Sequence, residues 1–416
     1  MTKLQDGRNP VDKVVTGEES PSDQLDAVKG APDQSLTKGL DSVNGLVSAN
    51  LIATPAPLVN SPVLIIGAGL LGASIGLALS RAGVQVWLED SSPTGLELAC
   101  DLGAGQPLSA QPAPEPALVV VATPPDVAGD VVVHALRNYP DAVVTDVASV
   151  KEPIAKCVLE CVPDLAQRYV GSHPMAGRER SGAASARADL FDARPWVLVA
   201  TPATSPNALS AVRQLAIDLG ALPTQLGAAE HDRAVALISH TPQLVASALA
   251  ARLEQAPEVA LNLAGQGLRD TTRIAASDPR LWAAILNANR SSVAQVLREL
   301  RVDIDALIEA LEQGRGAVGT VVDVMQRGNL GRDRIPGKHG GAPSRYAEVM
   351  VLIPDAPGQL ARLFNDVGAA QVNIEDLVIE HSAGQRQGLA TLLVAPAAAV
   401  GLRQALEQQG WKIVAN

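Results

Sequence analysis

The sequence predicts an α/β protein in three folded parts: a Rossmann-type doubly wound N-terminal domain, an all-α dimerisation domain and a C-terminal ferredoxin-like (βαββαβ) domain. Three observations predict it. Gly67-Ala-Gly-Leu-Leu-Gly72 follows an apolar run and opens an apolar helix. Short runs of Val, Leu and Ile then alternate with helical patterns to about residue 225. From Ala228 the pattern is helical, and after residue 345 strands and helices resume in βαββαβ order.

The elements follow in order. Residues 1–60 carry Ser, Asp, Gly and Pro with scattered charge and no aromatic residue. Such a segment buries too little to offset its ordering entropy, so it is expected to be a disordered tail. A start codon assigned too far upstream would give the same texture. Residues 61–225 form the expected dinucleotide-binding domain. Pro62–Ile66 is a buried parallel strand, Ala73–Arg81 a helix ended by Gly83, and Val84–Asp90 the second strand. Ser92-Pro93 opens a helix with a cap and a first-turn proline. Leu118–Ala122, Ala142–Asp146, Tyr169–Gly171 and Trp196–Ala200 are further strands. Residues 226–326 form the helical domain, with Asp278-Pro279 starting a long helix past Trp282 and an amphipathic continuation from Val293 to Leu311. Its apolar faces suit burial against a twin subunit. Residues 327–345 read as a linker. In 346–416, strands are expected at Tyr346–Ile353, Val372–Glu380, Leu389–Val394 and Trp411–Val414, with helices at Gln359–Val367 and Ala397–Gln408.

Composition narrows the function. Net charge is −11 and the pI near 5.1, and no Lys/Arg-rich run reverses that balance, so no nucleic-acid partner is expected. Aromatics make up 2% of the chain, so its cores must be built from Ala, Leu and Val. Cys100, Cys157 and Cys161 are too few and too odd for a disulfide framework. Cys157 and Cys161 share a face if helical, which suits packing more than metal binding, since no histidine is near in sequence. No apolar run reads as long enough to span a bilayer and no leader pattern opens the chain, so a soluble cytoplasmic protein without a metal is expected.

Gly67, Gly69 and Gly72 form G-x-G-x-x-G. The first makes a tight turn, the second lets backbone N–H groups approach a pyrophosphate, and the third lets helix lie on strand. Leu70 and Leu71 complete the helix start. An acid stands about twenty residues on, as ribose recognition requires. Asp90 is chosen because it ends the second strand, with Glu89 as its rival. No arginine follows at once to hold a 2′-phosphate, which favours NAD over NADP.

Downstream, Gly171-Ser-His-Pro-Met-Ala-Gly-Arg-Glu-Arg-Ser-Gly182 puts His173 in a Gly/Ser-rich turn stiffened by Pro174. Imidazole is suited to take a proton near neutral pH, and oxidation of an alcohol needs a base beside the hydride acceptor. Asp146-Val-Ala-Ser-Val-Lys151 ends an apolar strand, where ligands bind in such sheets. Ser149 there orients a base, holds a nicotinamide amide or, with Asp146, caps the next helix. Lys151 is read as a solvated helix-start lysine rather than a base. His231-Asp232 and Ser239-His-Thr-Pro-Gln243 stand out in the helical domain. Regular helical pitch puts His231 and His240 on opposite faces, and His240 is favoured as pocket-facing although Pro242 disturbs its turn. Arg269 and Arg273 are four apart and share a helical face. They suit bidentate capture of a small polycarboxylate, or a surface pair bridged to acids such as Asp270.

In order and spacing these motifs, with Gly-Leu-Arg-Asp-Thr-Thr-Arg-Ile-Ala-Ala-Ser-Asp-Pro and the Leu-Trp after it, resemble the prephenate/arogenate dehydrogenase family of tyrosine biosynthesis from about Pro62 onward. The resemblance implies that His173 takes the proton from the ring hydroxyl as hydride passes to NAD. It implies that Ser149 holds His173 and that hydroxyl, and that Arg273 grips the ring carboxylate. Arg269, His240 and Trp282 would line the pocket. Loss of carbon dioxide from the oxidised ring then restores aromaticity, so the protein has only to position donor, base and clamp. The sequence departs from many members at Gln243, where they carry histidine, leaving open whether the substrate's side chain is prephenate's keto acid or arogenate's amino acid. The C-terminal part resembles an ACT domain, with Asp355, Gly358 and Asn373 as expected contacts for an amino-acid effector such as tyrosine, or else a dimerisation module without ligand. A NAD-binding amino-acid sensor without turnover and a generic β-hydroxyacid dehydrogenase are the rival readings.

Overall fold

In the computed structural model, which describes residues 56–110, 115–177, 182–314, 316–336, 346–381 and 387–414, the first apolar run is strand β1 (Val63–Ile66). After it come α1 (Leu70–Arg81), β2 (Val86–Glu89), α2 (Pro93–Asp101), β3 (Gln106–Pro107), β4 (Leu118–Val121), α3 (Pro125–Asn138), β5 (Val143–Asp146) and α4 (Glu152–Cys161). The domain is completed by β6 (Tyr169–Pro174), β7 (Pro195–Val199), α5 (Pro206–Asp218) and β8 (Leu222–Gln225). The sheet order is β3-β2-β1-β4-β5-β6-β7-β8, parallel throughout except for the β6–β7 pair. Alternation along β1 feeds two layers. Val63 and Ile65 join Ile75, Leu79, Val212 and Leu215 on one face, while Leu64 joins Val132, Leu136, Ile154 and Val158 on the other. This is the doubly wound architecture expected, and its order reverses between β1 and β4, where such sheets open a crevice.

Several local expectations are corrected. His173 is not in a turn: it lies in β6, opposite Val197 of β7, so an antiparallel ladder rather than Pro174 holds its backbone. The tail expected to run to residue 60 is already anchored before it, because the Leu58 and Val59 N–H groups donate to the Asp218 carboxylate and Val59 is buried. The rest of that tail, residues 1–55, lies outside the described residues. Strands β3 and β8 were not foreseen, being too short or too polar to give an apolar run. The Ser92 cap is as expected, accepting from the Gly95 N–H.

The helical part comprises α6 (Ala228–Val235), a π-helical turn (Ala236–His240), α7 (Thr241–Ala251), α8 (Glu258–Leu261) and α9 (Gln266–Thr272). A 3-10 turn (Arg273–Ala275) leads to α10 (Pro279–Ala288), α11 (Arg290–Gln313) and α12 (Ala317–Arg332). Asp278 caps α10 by accepting from the Arg280 N–H, and non-helical backbone at Asn289 separates α10 from α11. Helix α12 continues to Arg332, so the linker begins later than residue 327. Helical pattern there is weak because Gly328 and Gly331 interrupt it. The expectation about membrane spans is also corrected: the rod Ala228–Ala251 is long and apolar enough to cross a bilayer by length and composition. It carries His231, Asp232, His240 and Gln243, all buried and hydrogen-bonded, so its polar groups are used inside the protein.

The C-terminal part is β9 (Ala347–Pro354), α13 (Gln359–Ala369), β10 (Asp376–His381), β11 (Gln387–Val394), α14 (Pro396–Gln408) and β12 (Lys412–Val414). Its antiparallel sheet has the order β10-β11-β9-β12, the ferredoxin-like arrangement. Val349, Val351, Leu363, Leu392, Leu402 and Trp411 fill its core. Asp355 and Gly358 lie in the β9–α13 loop, where Gly358 takes a φ of 84° that favours glycine. A small pocket lined by Ile353, Asp355, Gln359, Leu360 and Ile379 opens beside them. Asn373 falls before β10, not at its start, and its amide donates to Glu375 instead of joining the ladder.

Candidate active site

The glycine loop follows β1. Gly67 has a φ of 107°, and a Cβ there would meet the Ala122 carbonyl. A Cβ on Gly72 would meet the Gly67 carbonyl, so only glycine lets α1 start this close to the strand. Gly69 instead faces open space, and as N-cap of α1 it offers no side-chain cap. The first N–H groups of α1, from Leu70 onward, are therefore available to an anion, and the Thr123 hydroxyl, buried beside the loop, has no hydrogen-bond partner among the described residues. Asp90 stands just past β2, where its carboxylate accepts from the Ala68 N–H at 2.6 Å and the Ser92 N–H at 2.7 Å. These residues fit a dinucleotide: an open cradle, unused N–H groups and a carboxylate at the second strand's end. Glu89, the rival, is the last residue of β2 and is exposed.

Two and three strands from β1, β5 delivers Asp146 and β6 delivers His173. Asp146 is fully buried. It forms an ion pair with Lys151, accepts from Tyr169 Oη at 2.7 Å, and takes the Ala148 N–H at 3.0 Å. Lys151 is fully buried too and also donates to the Ser172 carbonyl at 2.7 Å, next to His173. Lys151 is therefore not the solvated residue expected. Burial pushes its pKa down, against the pull of Asp146, and burial with Asp146 drives the Tyr169 phenol well up. The cluster is structural scaffolding under the β6 backbone. Residues 178–181 of the histidine motif lie outside the described residues.

The ring of His173 reaches into the helical part. Its Nδ1 lies 2.9 Å from Nε2 of His231, and Nδ1 of His231 lies 2.7 Å from Asp232 Oδ1. The two rings meet edge to face, 5.1 Å between centroids. Asp232 also accepts the Lys151 and Glu152 N–H groups, so its carboxylate ties the start of α4 to α6. With the carboxylate accepting from His231 Nδ1, neutral His231 presents a lone pair at Nε2. His173 then donates from Nδ1 and turns the lone pair of its own Nε2 outward. Burial, with His231, Lys151 and His240 nearby, holds the His173 pKa well below the usual histidine range. Such a ring is a neutral base at physiological pH.

Sequence spacing put His231 and His240 on opposite faces, but both are buried and turn toward this site. The π turn Ala236–His240 underwinds the helix between them and changes its phase. Nδ1 of His240 lies 3.1 Å from Nδ2 of Asn289, and its ring meets Trp282 edge to face at 6.1 Å. Burial lowers its pKa to about 4. Gln243, at the site of the family departure, donates to the Ile274 carbonyl at 2.8 Å and so braces the turn that begins with Arg273. Arg269 and Arg273 do not share one helix, because α9 ends at Thr272; both are exposed. Ser149 is partly buried and forms no hydrogen bond among the described residues, so the partner of the His173 ring is His231, not Ser149. Sequence reasoning missed the roles of Lys151, Tyr169, Asp232 and Asn289; only the His231-Asp232 pair gave a signal. Cys157 and Cys161 do face each other on α4, where burial and this contact raise the Cys157 thiol to about 11. No group of three metal-ligating side chains occurs among the described residues.

Comparison with known proteins decides the family. Residues 75–223 match the family described as prephenate dehydrogenase, nucleotide-binding domain, and residues 227–327 match prephenate dehydrogenase, dimerization domain. The chain belongs to the prephenate dehydrogenase family. It is 37% identical over 359 residues to the probable prephenate dehydrogenase NovF of Streptomyces niveus, covering 84% of this chain and 98% of that one. It is 28% identical over 330 residues to prephenate dehydrogenase of Bacillus subtilis, covering 76% and 87%. The crystal structure of prephenate dehydrogenase from A. aeolicus in complex with hydroxyphenyl propionate and NAD+ superposes with a TM-score of 0.58 at 28% identity, covering 66% of this chain and 99% of that one. Synechocystis arogenate dehydrogenase gives 0.54 at 29% identity, with 65% and 99% covered. The two matched family segments end at residue 327, short of the C-terminal sheet.

Proposed function

We propose that this protein is a NAD-dependent prephenate dehydrogenase, an oxidoreductase that converts prephenate to 4-hydroxyphenylpyruvate with loss of carbon dioxide. The observation that carries the reading is the hydrogen-bonded line Asp232–His231–His173, which leaves Nε2 of His173 to act as a base. Bound NAD would supply the hydride acceptor. Nε2 of His173 takes the proton of the ring hydroxyl, and the positive charge that develops is spread toward His231 and the Asp232 carboxylate. Arg273 is proposed to grip the ring carboxylate, with Arg269, His240 and Trp282 lining the pocket and Ser149 beside the hydroxyl. Gly67, Gly69, Leu70, Leu71 and Gly72 would hold the pyrophosphate and Asp90 the ribose. A carboxylate at Asp90 with no arginine following it disfavours a 2′-phosphate, hence NAD over NADP.

Arogenate is the alternative substrate. Gln243 supports keeping it open, since its amide is used by the Ile274 carbonyl and puts no charge toward a keto-acid side chain. The helical part leaves Val302, Leu311, Val318 and Met325 exposed, which supports a homodimer. The ferredoxin-like part, with its pocket beside Asp355 and Gly358, supports an ACT-like regulatory module that senses an amino acid such as tyrosine. A steady-state comparison tests all of this: prephenate and arogenate, each with NAD and NADP, with and without tyrosine. Turnover of prephenate with NAD, exceeding that of arogenate, is expected. Binding of NAD with no turnover of either substrate would replace the enzyme by an amino-acid sensor.

A further inference from the structure

Asn289 sits in the break between α10 and α11, 5% exposed, and is an unusual residue to bury there. Its Nδ2 lies 2.7 Å from the Asp232 backbone carbonyl and 3.1 Å from His240 Nδ1. A carbonyl can only accept, so the atom facing it is the amide nitrogen, and the flip of the side chain is decided. The same NH2 group offers its second hydrogen to His240, so His240 Nδ1 holds the lone pair. In a neutral ring the proton is then on Nε2. That Nε2 is buried and has no hydrogen-bond partner among the described residues.

We propose that Asn289 is a positioning residue that fixes His240 as a hydrogen-bond donor to the oxygen of the substrate's reacting hydroxyl, complementary to the acceptor at His173. This rests on the dehydrogenase reading and assigns a role within that site. The two histidines are set to opposite faces of one chemistry. Asp232, through its carboxylate and His231, leaves His173 Nε2 a lone pair. Asp232, through its backbone carbonyl and Asn289, leaves His240 Nε2 a proton. A secondary hydroxyl is both donor and acceptor, and matches the pair: its O–H donates to His173 and its oxygen accepts from His240. On oxidation the proton would pass to His173 Nε2 and the C–H hydrogen, as hydride, to bound NAD, while the carbonyl oxygen that forms keeps the His240 bond, which strengthens as negative charge grows on it. Burial keeps the His240 ring neutral, so its proton orients the oxygen and is not transferred.

The tautomer can be read directly. In full-length enzyme labelled with 15N-histidine, long-range nitrogen–proton spectra should show His240 with Nε2 protonated and Nδ1 bare, the signal being assigned by its loss in His240→Gln. A bare Nε2 overturns the proposal without any variant at Asn289. Asn289→Asp keeps the shape but presents an acceptor to Nδ1, so the tautomer should reverse. Its kcat should then fall about 10- to 100-fold, with NAD binding unchanged, as for loss of one oriented donor. Reversed tautomer with wild-type kcat overturns the proposal, because a residue needed only for folding would not separate the two. The spectrum is taken without substrate, so a wrong reaction assignment, seen as no turnover by the unaltered enzyme, is distinct from a wrong tautomer.

Discussion

Nε2 of His231 lies 2.9 Å from Nδ1 of His173, and this contact joins the two parts of the site. His173 comes from the sheet and His231 from α6, so the base is oriented only when helix and sheet are docked. His173→Asn should keep NAD binding and lose most turnover, because an amide has no basic nitrogen. Calorimetric binding of NAD beside steady-state rates checks this; near-normal turnover would remove His173 from its role.

The pH dependence has a defined sign. The base acts when deprotonated, and burial with neighbouring positive charge depresses the His173 pKa. The acid limb of kcat/KM should therefore have its midpoint well below 6.5, and activity should hold from neutral pH into mild acid. A midpoint at or above 6.5 would show that another group controls the rate.

Stability should follow His240. Its folded pKa is about 4 against 6.5 unfolded, so between these values the unfolded chain binds a proton that the folded one does not. Stability is then full above pH 6.5 and falls as pH drops toward 4, by roughly 3 kcal/mol in all. Urea unfolding across this range should give a shallower slope for His240→Gln than for the wild type.

Lys151→Met should be far more damaging than its helix-start position suggests. It leaves Asp146 charged and buried without its partner, and breaking such a pair costs about 3–5 kcal/mol. Thermal unfolding measures this. An unchanged melting temperature would mean that the Asp146–Lys151 pair contributes nothing to stability.

Arg273→Ala should raise KM for the ring-carboxylate substrate with less effect on kcat, as expected when a binding clamp is lost. Gln243→Ala should act in the same direction and more weakly, since it removes one of the two side-chain hydrogen bonds to the Ile274 carbonyl and leaves that from the Ser277 hydroxyl to steady the turn bearing Arg273. An unchanged KM in Arg273→Ala would count against the clamp.

Much of the architecture was legible because its causes are local. Val63–Ile66, the glycines behind it and Ser92-Pro93 or Asp278-Pro279 each specify their own element through burial, φ freedom or capping. The ferredoxin-like order was legible for the same reason, as alternation at Val349, Val351 and Ile353 already marks an inward face. The departures share a different cause. His173 reads as a turn residue until β7 pairs with it, and Lys151 reads as solvated until Asp146 and Ser172 close around it. Gln243 carries no sign in the chain of the Ile274 carbonyl it will meet.

By itself, then, the sequence determined the three-part fold, the dinucleotide cradle and the motifs that carry the histidines, since these follow from periodicity and from motifs whose atoms are neighbours along the chain. The tertiary structure alone shows which partner each histidine nitrogen meets, and so which nitrogen is favoured for the proton. That choice is made by Asp232 and Asn289, which lie 57 residues apart and act only where the folded backbone brings a carboxylate, a carbonyl and an amide within hydrogen-bond reach of two rings. A proton's position depends on partners within about 3 Å, and no local pattern encodes a contact of that kind.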